Sequence, residues 1–414
     1  MIVHVEVEIY RLFPIPLETL GLEWNKLISS DAFQPDSEGV LAPDQIPPPL
    51  RSTCCQVRLF ADAEIGSDHA WKEPTSGRTF RLHLYVMSDE EPCMEELEPA
   101  SSGDDEFIPA CENWTLPNKA FEGLWDTLIV QGDTKEALLR YAETGIYFSS
   151  QHVSSNVVSW NRLLLLHGPP GTGKTSLCKA LAQKLAIRLN FPKAQLLEIQ
   201  SHALFSKWFS TSGKLIQRLF ELIREMVQDD PNTLICVLID EIESLASSRS
   251  ASNSGDPTDA MRAVNALLTS LDKLKCFPNL LVMGTTNLTG RLDEALVDRA
   301  DLKVYLGNPI VEARFEILKS CLLELMRAGI IVDEVVPDFA SATEKHVLNE
   351  CARLTNGWSG RALRRLPLQA HARFVRRSHA VTLQEFLEGL LQGVREEQVS
   401  RRDMKGWVPP TDES

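Results

Sequence analysis

The chain opens with stretches in which apolar and polar residues alternate. Every second residue is apolar from Val3 to Ile9, and the pattern returns from Phe80 to Val86. A period of two residues predicts β-strands that bury one face and expose the other. We therefore expect residues 1–88 to form a small α+β domain.

The pattern changes in the middle of the chain, where continuous apolar runs alternate with amphipathic stretches. Such runs predict strands buried on both faces, as in a parallel sheet covered by helices. After about residue 310 only helical periodicity remains. The predicted fold class is α/β, with a five-stranded parallel sheet core and a helical C-terminal subdomain. The five predicted strands are 163–166, 195–199, 234–239, 280–285 and 303–306.

Most of the negative charge lies in the front part of the chain. The net charge of the 414 residues is −15, and residues 1–113 hold 22 acidic and 7 basic residues. Nine of these acids fall among prolines and serines in residues 89–106, which predicts a solvated linker. An acidic segment that binds a partner is the alternative. Because two or three domains are expected for this length, the predicted boundaries are 1–88, 89–113 for the linker, 114–308 and 309–414.

The composition argues against several classes of protein. Apolar residues make up 43% of the chain and charged residues 24%, as in ordinary globular proteins. No apolar stretch approaches the roughly 18 residues of a membrane span, and the start of the chain lacks the pattern of a signal peptide. The nine cysteines show no paired spacing, which favours reduced thiols in the cytosol or nucleus. Without a basic excess, we expect no direct binding of nucleic acid and no membrane partner.

A phosphate-binding motif follows the first predicted strand of the sheet and precedes a predicted helix. Residues 168–175 are Gly-Pro-Pro-Gly-Thr-Gly-Lys-Thr, which matches the P-loop pattern. Backbone N–H groups of such a loop bind phosphate oxygens at the positive end of a helix. Lys174 is expected to contact the β- and γ-phosphates of ATP, and the hydroxyl of Thr175 to bind Mg²⁺. The predicted nucleotide-binding residues are Gly168, Pro169, Pro170, Gly171, Thr172, Gly173, Lys174, Thr175, Ser176 and Asp240.

Polar residues at the ends of two further strands predict hydrolysis of ATP. Asp240 ends one apolar strand and can hold Mg²⁺ through water, whereas its neighbour Glu241 can polarise the attacking water. Asn287 follows the next strand and can orient that water at the γ-phosphate; an asparagine that only forms a turn is the alternative. Glu243 is expected to point elsewhere and to be structural. Because Glu241 is acidic, hydrolysis is favoured over nucleotide binding alone.

The P-loop, the strand that ends in Asp240 and Glu241, the strand that precedes Asn287, Arg299 and Arg361 follow one another along the chain. In this order they resemble the motifs of an AAA+ ATPase with a helical lid, over roughly residues 120–385. The resemblance implies that ATP lies at a subunit interface of a ring, usually a hexamer. It identifies Arg299 with the arginine finger that reaches the neighbour's γ-phosphate. Many relatives carry two arginines around a Pro-Gly at this place, whereas this chain has only one. Arg361 is similar to the sensor-2 arginine of the lid, with an ordinary surface arginine as the alternative.

The resemblance also implies a loop that grips a polypeptide substrate. The segment Ser-Lys-Trp-Phe-Ser at residues 206–210 lies between the second predicted strand and the next helix. In AAA+ remodelling machines the corresponding loop lines the central pore. Lys207, Trp208 and Phe209 are the residues concerned, and exposed aromatic side chains are costly unless they are used. A tryptophan buried in the core is the alternative.

A closer resemblance is to the pachytene checkpoint protein 2 family, also called thyroid-receptor-interacting protein 13. It rests on segments such as Phe-Ser-Lys-Trp-Phe at 205–209 and Gly-Trp-Ser-Gly-Arg at 357–361, and it is loose over the first hundred residues. It implies a homohexameric remodeller that opens closed HORMA-domain proteins. These clients are a spindle-checkpoint protein presented by a HORMA-like adaptor, and meiotic chromosome-axis proteins. It further implies a location in nucleus and cytoplasm, and docking by the N-terminal domain, for which Glu6 and Glu8 are candidates.

Two other functions stay open from the residues alone. One is an AAA+ motor that acts on DNA or microtubules, and the other is a nucleotide-gated scaffold without turnover. The acidic N-terminal part of the chain, residues 1–113, argues against the motor because DNA and tubulin surfaces are anionic. Glu241, Asn287 and Arg299 argue against the scaffold, which needs no residues for activating water.

Overall fold

Contacts within the chain divide it into two units. The first unit comprises Met1–Trp125, Asp133–Leu166 and Thr175–Val304, and the second comprises Asp126–Gly132, His167–Lys174 and Tyr305–Ser414. The pore-loop candidates Lys207, Trp208 and Phe209 lie outside the described residues. The computed structural model describes residues 2–9, 17–28, 41, 46–61, 79–97, 108–151, 153–154, 157–189, 191–200, 212–243, 257–287, 292–332, 341–376 and 379–406.

A three-stranded sheet at the start of the first unit contains both strands that the alternating pattern predicts. Its order is β2–β1–β3, with β1 antiparallel to β2 and parallel to β3. The valines of β1 are fully buried and share a cluster with Trp24 of helix α1. The elements are β1 (Ile2–Ile9), α1 (Leu17–Ile28), α2 (Pro48–Arg51), β2 (Cys54–Ala61) and β3 (Thr79–Tyr85).

The second sheet of the first unit has seven strands in the order β10–β6–β9–β8–β7–β5–β4. All five strands predicted from apolar runs are present and adjacent in this order. β7 pairs in parallel with β8, and β8 with β9. The strands are β4 (Cys93–Leu97), β5 (Ile108–Leu116), β6 (Leu163–His167), β7 (Lys193–Gln200), β8 (Thr233–Asp240), β9 (Leu280–Thr286) and β10 (Leu302–Tyr305).

Two strands lie where the sequence predicts an acidic linker, so that prediction is wrong for part of residues 89–113. β5 pairs antiparallel with β7, and β4 pairs with β5 at the edge of the sheet. Leu97 and Cys111 enter the main core of the first unit, whereas Glu96 is exposed. Charged residues on an edge strand discourage pairing with another chain, so an acid-rich segment is compatible with a position at the edge of the sheet.

Helices alternate with the strands of the seven-stranded sheet along the chain. After β10 the assigned elements are helical, as the sequence predicts. None of the described helices is long and apolar enough to cross a membrane. The helices up to β10 are α3 (Leu124–Thr127), α4 (Thr134–Ser150), α5 (Lys174–Arg188), α6 (Ser212–Asp229), α7 (Pro257–Leu274) and α8 (Glu294–Arg299).

In its described residues, the second unit is mainly a bundle of four α-helices around its own core. Leu322, Leu363 and Phe386 are almost fully buried in that core. A capping box between Ser341 and Glu344 begins α10 and satisfies backbone N–H groups at its start. The helices are α9 (Val311–Arg327), α10 (Ala342–Leu354), α11 (Gly360–Ala370) and α12 (Leu383–Gly406).

A buried ion-pair cluster, the Glu6 junction, joins β1 to α5 within the first unit. Glu6 is 2% exposed, and its carboxylate contacts Nζ of Lys184 at 2.7 Å and Nε of Arg188 at 2.9 Å. The ammonium of Lys184 also lies 3.2 Å from the centroid of the Phe60 ring. Burial raises the pKa of Glu6, but Lys184 and Arg188 outweigh it and hold this pKa below its ordinary value.

β1 is buried on both faces. This corrects the expectation that the strand exposes one face, and the expectation that Glu6 and Glu8 dock a client. The polar face of the strand is covered, because His4, Glu6 and Glu8 are each less than one tenth exposed. Glu6 and Glu8 are therefore not an accessible docking surface for a client. Beside them, Nδ1 of His4 and Nε2 of His83 share a hydrogen bond of 2.9 Å. Burial and the neighbouring His4 lower the pKa of His83 to about 4, so that it is uncharged at neutral pH.

Candidate nucleotide site

The P-loop has a backbone that only glycine accommodates at its tightest points. Gly168 has φ +143°, and a Cβ there would collide with the carbonyl group of Leu306. Gly171 has φ +77°, and a Cβ there would lie 2.9 Å from Oγ of Ser359. Both neighbours belong to the second unit, as does the loop itself. The glycines thus serve a close approach of backbone segments as well as the turn.

Lys174, at the start of α5, has its ammonium group held beside the loop backbone. Nζ donates hydrogen bonds to the carbonyl oxygens of Gly168 at 2.9 Å and Pro169 at 2.8 Å. Burial and the charge of Lys174 together lower the pKa of His167, which immediately precedes the loop. A largely buried ammonium at a glycine-rich loop is suited to an anionic phosphate group.

Thr175 and Asp240 are brought together, as the sequence predicts for a magnesium site. Oγ1 of Thr175 donates to Oδ1 of Asp240 at 2.8 Å. The same carboxylate oxygen accepts a hydrogen bond from the hydroxyl of Thr285. A hydroxyl and a carboxylate are hard oxygen donors, and Mg²⁺ binds such donors while keeping several waters. The donor set therefore fits Mg²⁺.

Thr285 is a site residue that sequence reasoning missed. Besides its bond to Asp240, its Oγ1 accepts the backbone N–H of Glu241 at 3.1 Å, and its carbonyl accepts the N–H of Ile242 at 2.9 Å. It thus connects the ends of β8 and β9. The signal was present in the Gly-Thr-Thr-Asn run at 284–287, where only the asparagine was singled out.

Glu241 adopts a backbone conformation that is uncommon for a residue with a side chain. Its φ is +53°, in the left-handed region, which costs on the order of 1 kcal/mol or more and persists where the surroundings enforce it. The hydrogen bond to Thr285 and the following bond from Ile242 provide that constraint. Oε1 of Glu241 accepts a long hydrogen bond of 3.4 Å from Nδ2 of Asn287. The structure therefore places the two predicted water-handling residues side by side.

Glu243 contradicts the expectation that it points away from the site. Its Oε1 accepts the backbone N–H of Asn287 at 2.8 Å. Within the described residues its other oxygen, Oε2, is buried and receives no hydrogen bond. The acid two positions after Glu241 is thus directly bonded to the backbone of Asn287.

Arg299 lies at the end of α8 and is held within its own chain by Asp272 of α7. Nη2 of Arg299 lies 2.9 Å from Oδ2 of Asp272, and Nε lies 3.3 Å from both carboxylate oxygens. Nη1 donates to the carbonyl of Ala295 at 3.0 Å. The hydrogen bonds raise the pKa of Arg299 and lower that of Asp272. Across the described parts of the first unit, no hydrogen bond joins Arg299 to Thr175 or Asp240.

Arg361 lies at the N-terminal end of α11 and contacts the P-loop. Its backbone N–H donates to the carbonyl oxygen of Gly171 at 3.1 Å. The preceding Ser359 caps the helix by accepting the N–H of Ala362 at 3.4 Å. Within the second unit, the start of α11 is thus attached to the loop that is predicted to bind phosphate.

Sequence comparison relates both parts of the ATPase region to known families. Residues 164–308 match the "ATPase family associated with various cellular activities (AAA)", and residues 310–398 match the "TRIP13-like, AAA+ ATPase lid C-terminal domain". The chain is 43% identical over 421 residues to the Pachytene checkpoint protein 2 homolog of Homo sapiens, covering 98% of this chain and 95% of that protein. It is 46% identical over 337 residues to the homolog of Xenopus tropicalis, covering 78% and 77%.

Solved structures show the same relationship in three dimensions. "Structure of C. elegans PCH-2" matches with a TM-score of 0.75 and 32% identity, over 96% of this chain and 99% of that chain. "Structure of E. coli MS115-1 HORMA:CdnC:Trip13 complex" matches with a TM-score of 0.54 and 19% identity, over 68% and 94%. The second likeness is one of fold.

Proposed function

Because this chain belongs to the pachytene checkpoint protein 2 family of AAA+ ATPases, we propose that it uses ATP hydrolysis at the interfaces of a homohexamer to open closed HORMA-domain proteins. Its AAA+ fold, its helical lid and its ATPase class, which the sequence predicted, are confirmed. The observation that best supports the proposal is the hydrogen-bonded group of Thr175, Asp240 and Thr285, with Glu241 and Asn287 next to it.

The residues at this site divide the work of hydrolysis among themselves. Lys174 binds the β- and γ-phosphates, while Glu241 accepts a proton from the water that attacks the γ-phosphorus, so that ADP leaves. Asn287 orients that water. Thr175 and Asp240 would hold Mg²⁺, which neutralises charge on the phosphates when it is bound. Arg361 relates the position of the lid helix to the P-loop, to which its backbone is bonded.

The proposed client is a HORMA-domain protein. The family supports this proposal, and the related E. coli Trip13 has been solved in a complex with a HORMA protein and CdnC. Lys207, Trp208 and Phe209 are proposed to grip the client in the central pore, and the N-terminal domain to dock the client or a HORMA-like adaptor. The processes served are spindle-checkpoint control and meiotic recombination, in nucleus and cytoplasm.

Stimulation of the ATPase by a client tests this proposal. Purified HORMA protein with its adaptor is expected to raise the turnover of the wild-type enzyme several-fold and to be converted to its open form. Trp208→Ala is expected to bind ATP normally and to leave the client closed. Phosphate release and a gel-filtration assay of the client's conformation measure the two outcomes. Stimulation by DNA or tubulin tails instead would favour a motor, and no turnover under any condition would favour a scaffold.

Because Arg299 is proposed to act at the ATP site of the neighbouring subunit, a mixture of two inactive variants is expected to regain ATP hydrolysis. Lys174→Ala removes phosphate binding, and Arg299→Ala removes the finger, for which losses of about 10³–10⁵ are typical in related enzymes. In a mixed ring, a Lys174→Ala subunit offers its intact Arg299 to the site of an Arg299→Ala neighbour. Phosphate release by the mixture is therefore expected to exceed clearly the sum of the separate rates.

The surface pair Arg140–Asp133 provides the control for this mixing experiment. Arg140→Ala removes an arginine that contacts an aspartate at 3.1 Å on an exposed surface, as Arg299→Ala does at Asp272. It should leave turnover within a factor of two, because exposed pairs contribute little. A mixture of Lys174→Ala and Arg299→Ala that is only additive would mean that Arg299 acts within its own subunit or not at all.

A further inference from the structure

Glu243 has no role in the proposed mechanism of ATP hydrolysis, although its carboxylate lies beside the residues that are proposed to bind the attacking water. It follows Glu241 by two positions, directly after the two-residue turn that ends β8. Oε1 accepts the backbone N–H of Asn287 at 2.8 Å, while the buried Oε2 receives no hydrogen bond within the described residues. A buried polar atom without a partner is costly and calls for an explanation.

The bond from Asn287 to Glu243 is placed where the sheet no longer constrains the chain. β9 ends at Thr286, and its pairing with β8 extends only to Gly284. The backbone N–H of Asn287 is therefore satisfied by a side chain. This bond ties the backbone of Asn287 to the segment that follows β8.

The side chain of Asn287 is held far more weakly than its backbone. Its Nδ2 reaches Oε1 of Glu241 at 3.4 Å, near the limit of a hydrogen bond. The direction of the amide therefore depends mainly on the backbone from which it projects.

We propose that Glu243 is a positioning residue, which fixes the backbone of Asn287 so that its amide faces Glu241 and the attacking water. This inference rests on the proposed hydrolysis at the same site. It assigns Glu243 no contact with the substrate. Its effect should therefore appear in kcat and only when Asn287 carries its amide.

A double-mutant cycle in the full-length chain tests the proposal. Glu243→Met keeps the length of the side chain and removes the acceptor, and it is expected to lower kcat about tenfold, equivalent to about 1.4 kcal/mol. The KM for ATP should change less than twofold. Glu243→Gln retains an oxygen acceptor and should keep kcat within about threefold of wild type. In the Asn287→Ala background, Glu243→Met should cause no further loss, since coupled residues are not additive.

Controls separate this idea from a loss of folding or of the proposed function. Glu225→Ala removes an exposed carboxylate on α6 and should leave kcat unchanged. Thermal midpoints identify any variant that has lost its fold, and Glu243→Gln then carries the comparison. If wild type does not hydrolyse ATP, the proposed function fails. If wild type is active but Glu243→Met keeps full kcat, or adds its whole loss to that of Asn287→Ala, the positioning role is wrong and the proposed function stands.

Discussion

Replacement of Glu241 by glutamine is expected to lower ATP turnover by at least about 100-fold while ATP binding is retained. General-base catalysis typically contributes about 10²–10⁴ in rate, and an amide cannot accept the proton. Glutamine preserves the size of the side chain. Thr285 contacts the backbone of residue 241 and not its carboxylate, so the local structure should persist. Phosphate release and the binding of a fluorescent ATP analogue measure the two properties separately.

A matched variant distinguishes loss of the base from a general effect of removing charge. Glu225→Gln alters an exposed glutamate of α6 and should leave turnover and binding unchanged. In the proposed remodelling cycle, the Glu241→Gln ring should assemble with ATP and hold its client without releasing it. Turnover close to that of wild type would remove Glu241 from the role of base.

Replacement of Glu6 by glutamine is expected to destabilise the protein by about 3–5 kcal/mol. Removing one partner of a buried ion pair leaves the other charges poorly compensated. Here Lys184 loses its contact at 2.7 Å, and Arg188 loses its contact at 2.9 Å but keeps Glu143 at 3.9 Å. Urea denaturation at neutral pH measures the loss. Glu23→Gln is the control, because its pair with Lys26 is 2.6 Å long but exposed, and it should change stability by less than about 0.5 kcal/mol.

Two further experiments test whether buried charge at the Glu6 junction causes this loss of stability. A triple change of Glu6, Lys184 and Arg188 to apolar residues of similar size should recover most of the stability, since no charge is then left buried. The pKa of Glu6 is lowered in the folded state, so its stabilising effect is present above pH 4.5 and is lost as the pH falls through the folded pKa. Glu6→Gln should lack this part of the acid destabilisation. A loss below about 1 kcal/mol would show that water reaches the junction.

The parts of the site that sequence predicts are those whose signals are local. The P-loop from Gly168 to Thr175 and the strand that ends at Asp240 carry their residue types at fixed spacings beside apolar runs. A short segment therefore contains both the element and its chemistry. The same holds for the five strands of the main sheet, since continuous apolar runs need no knowledge of their partners.

What the sequence did not predict depends on partners that are far away in the chain. Glu6 alternates with valines and so resembles a solvated strand residue, but Lys184 and Arg188 lie 178 and 182 positions later. β5 joins the main sheet through its pairing with β7, and its acid-rich surroundings favoured a linker. Glu243 meets a backbone N–H 44 positions away, which no residue pattern encodes.

The path of α5 has a mechanical consequence. Within the first unit, this helix runs from Thr175, whose hydroxyl contacts Asp240, to Arg188, whose guanidinium contacts Glu6, a length of about 20 Å at 1.5 Å per residue. Because Glu6, Lys184 and Arg188 are paired and buried, a tilt of the helix would strain its contacts with β1. A displacement of this helix at Thr175 is therefore expected to shift β1 as well.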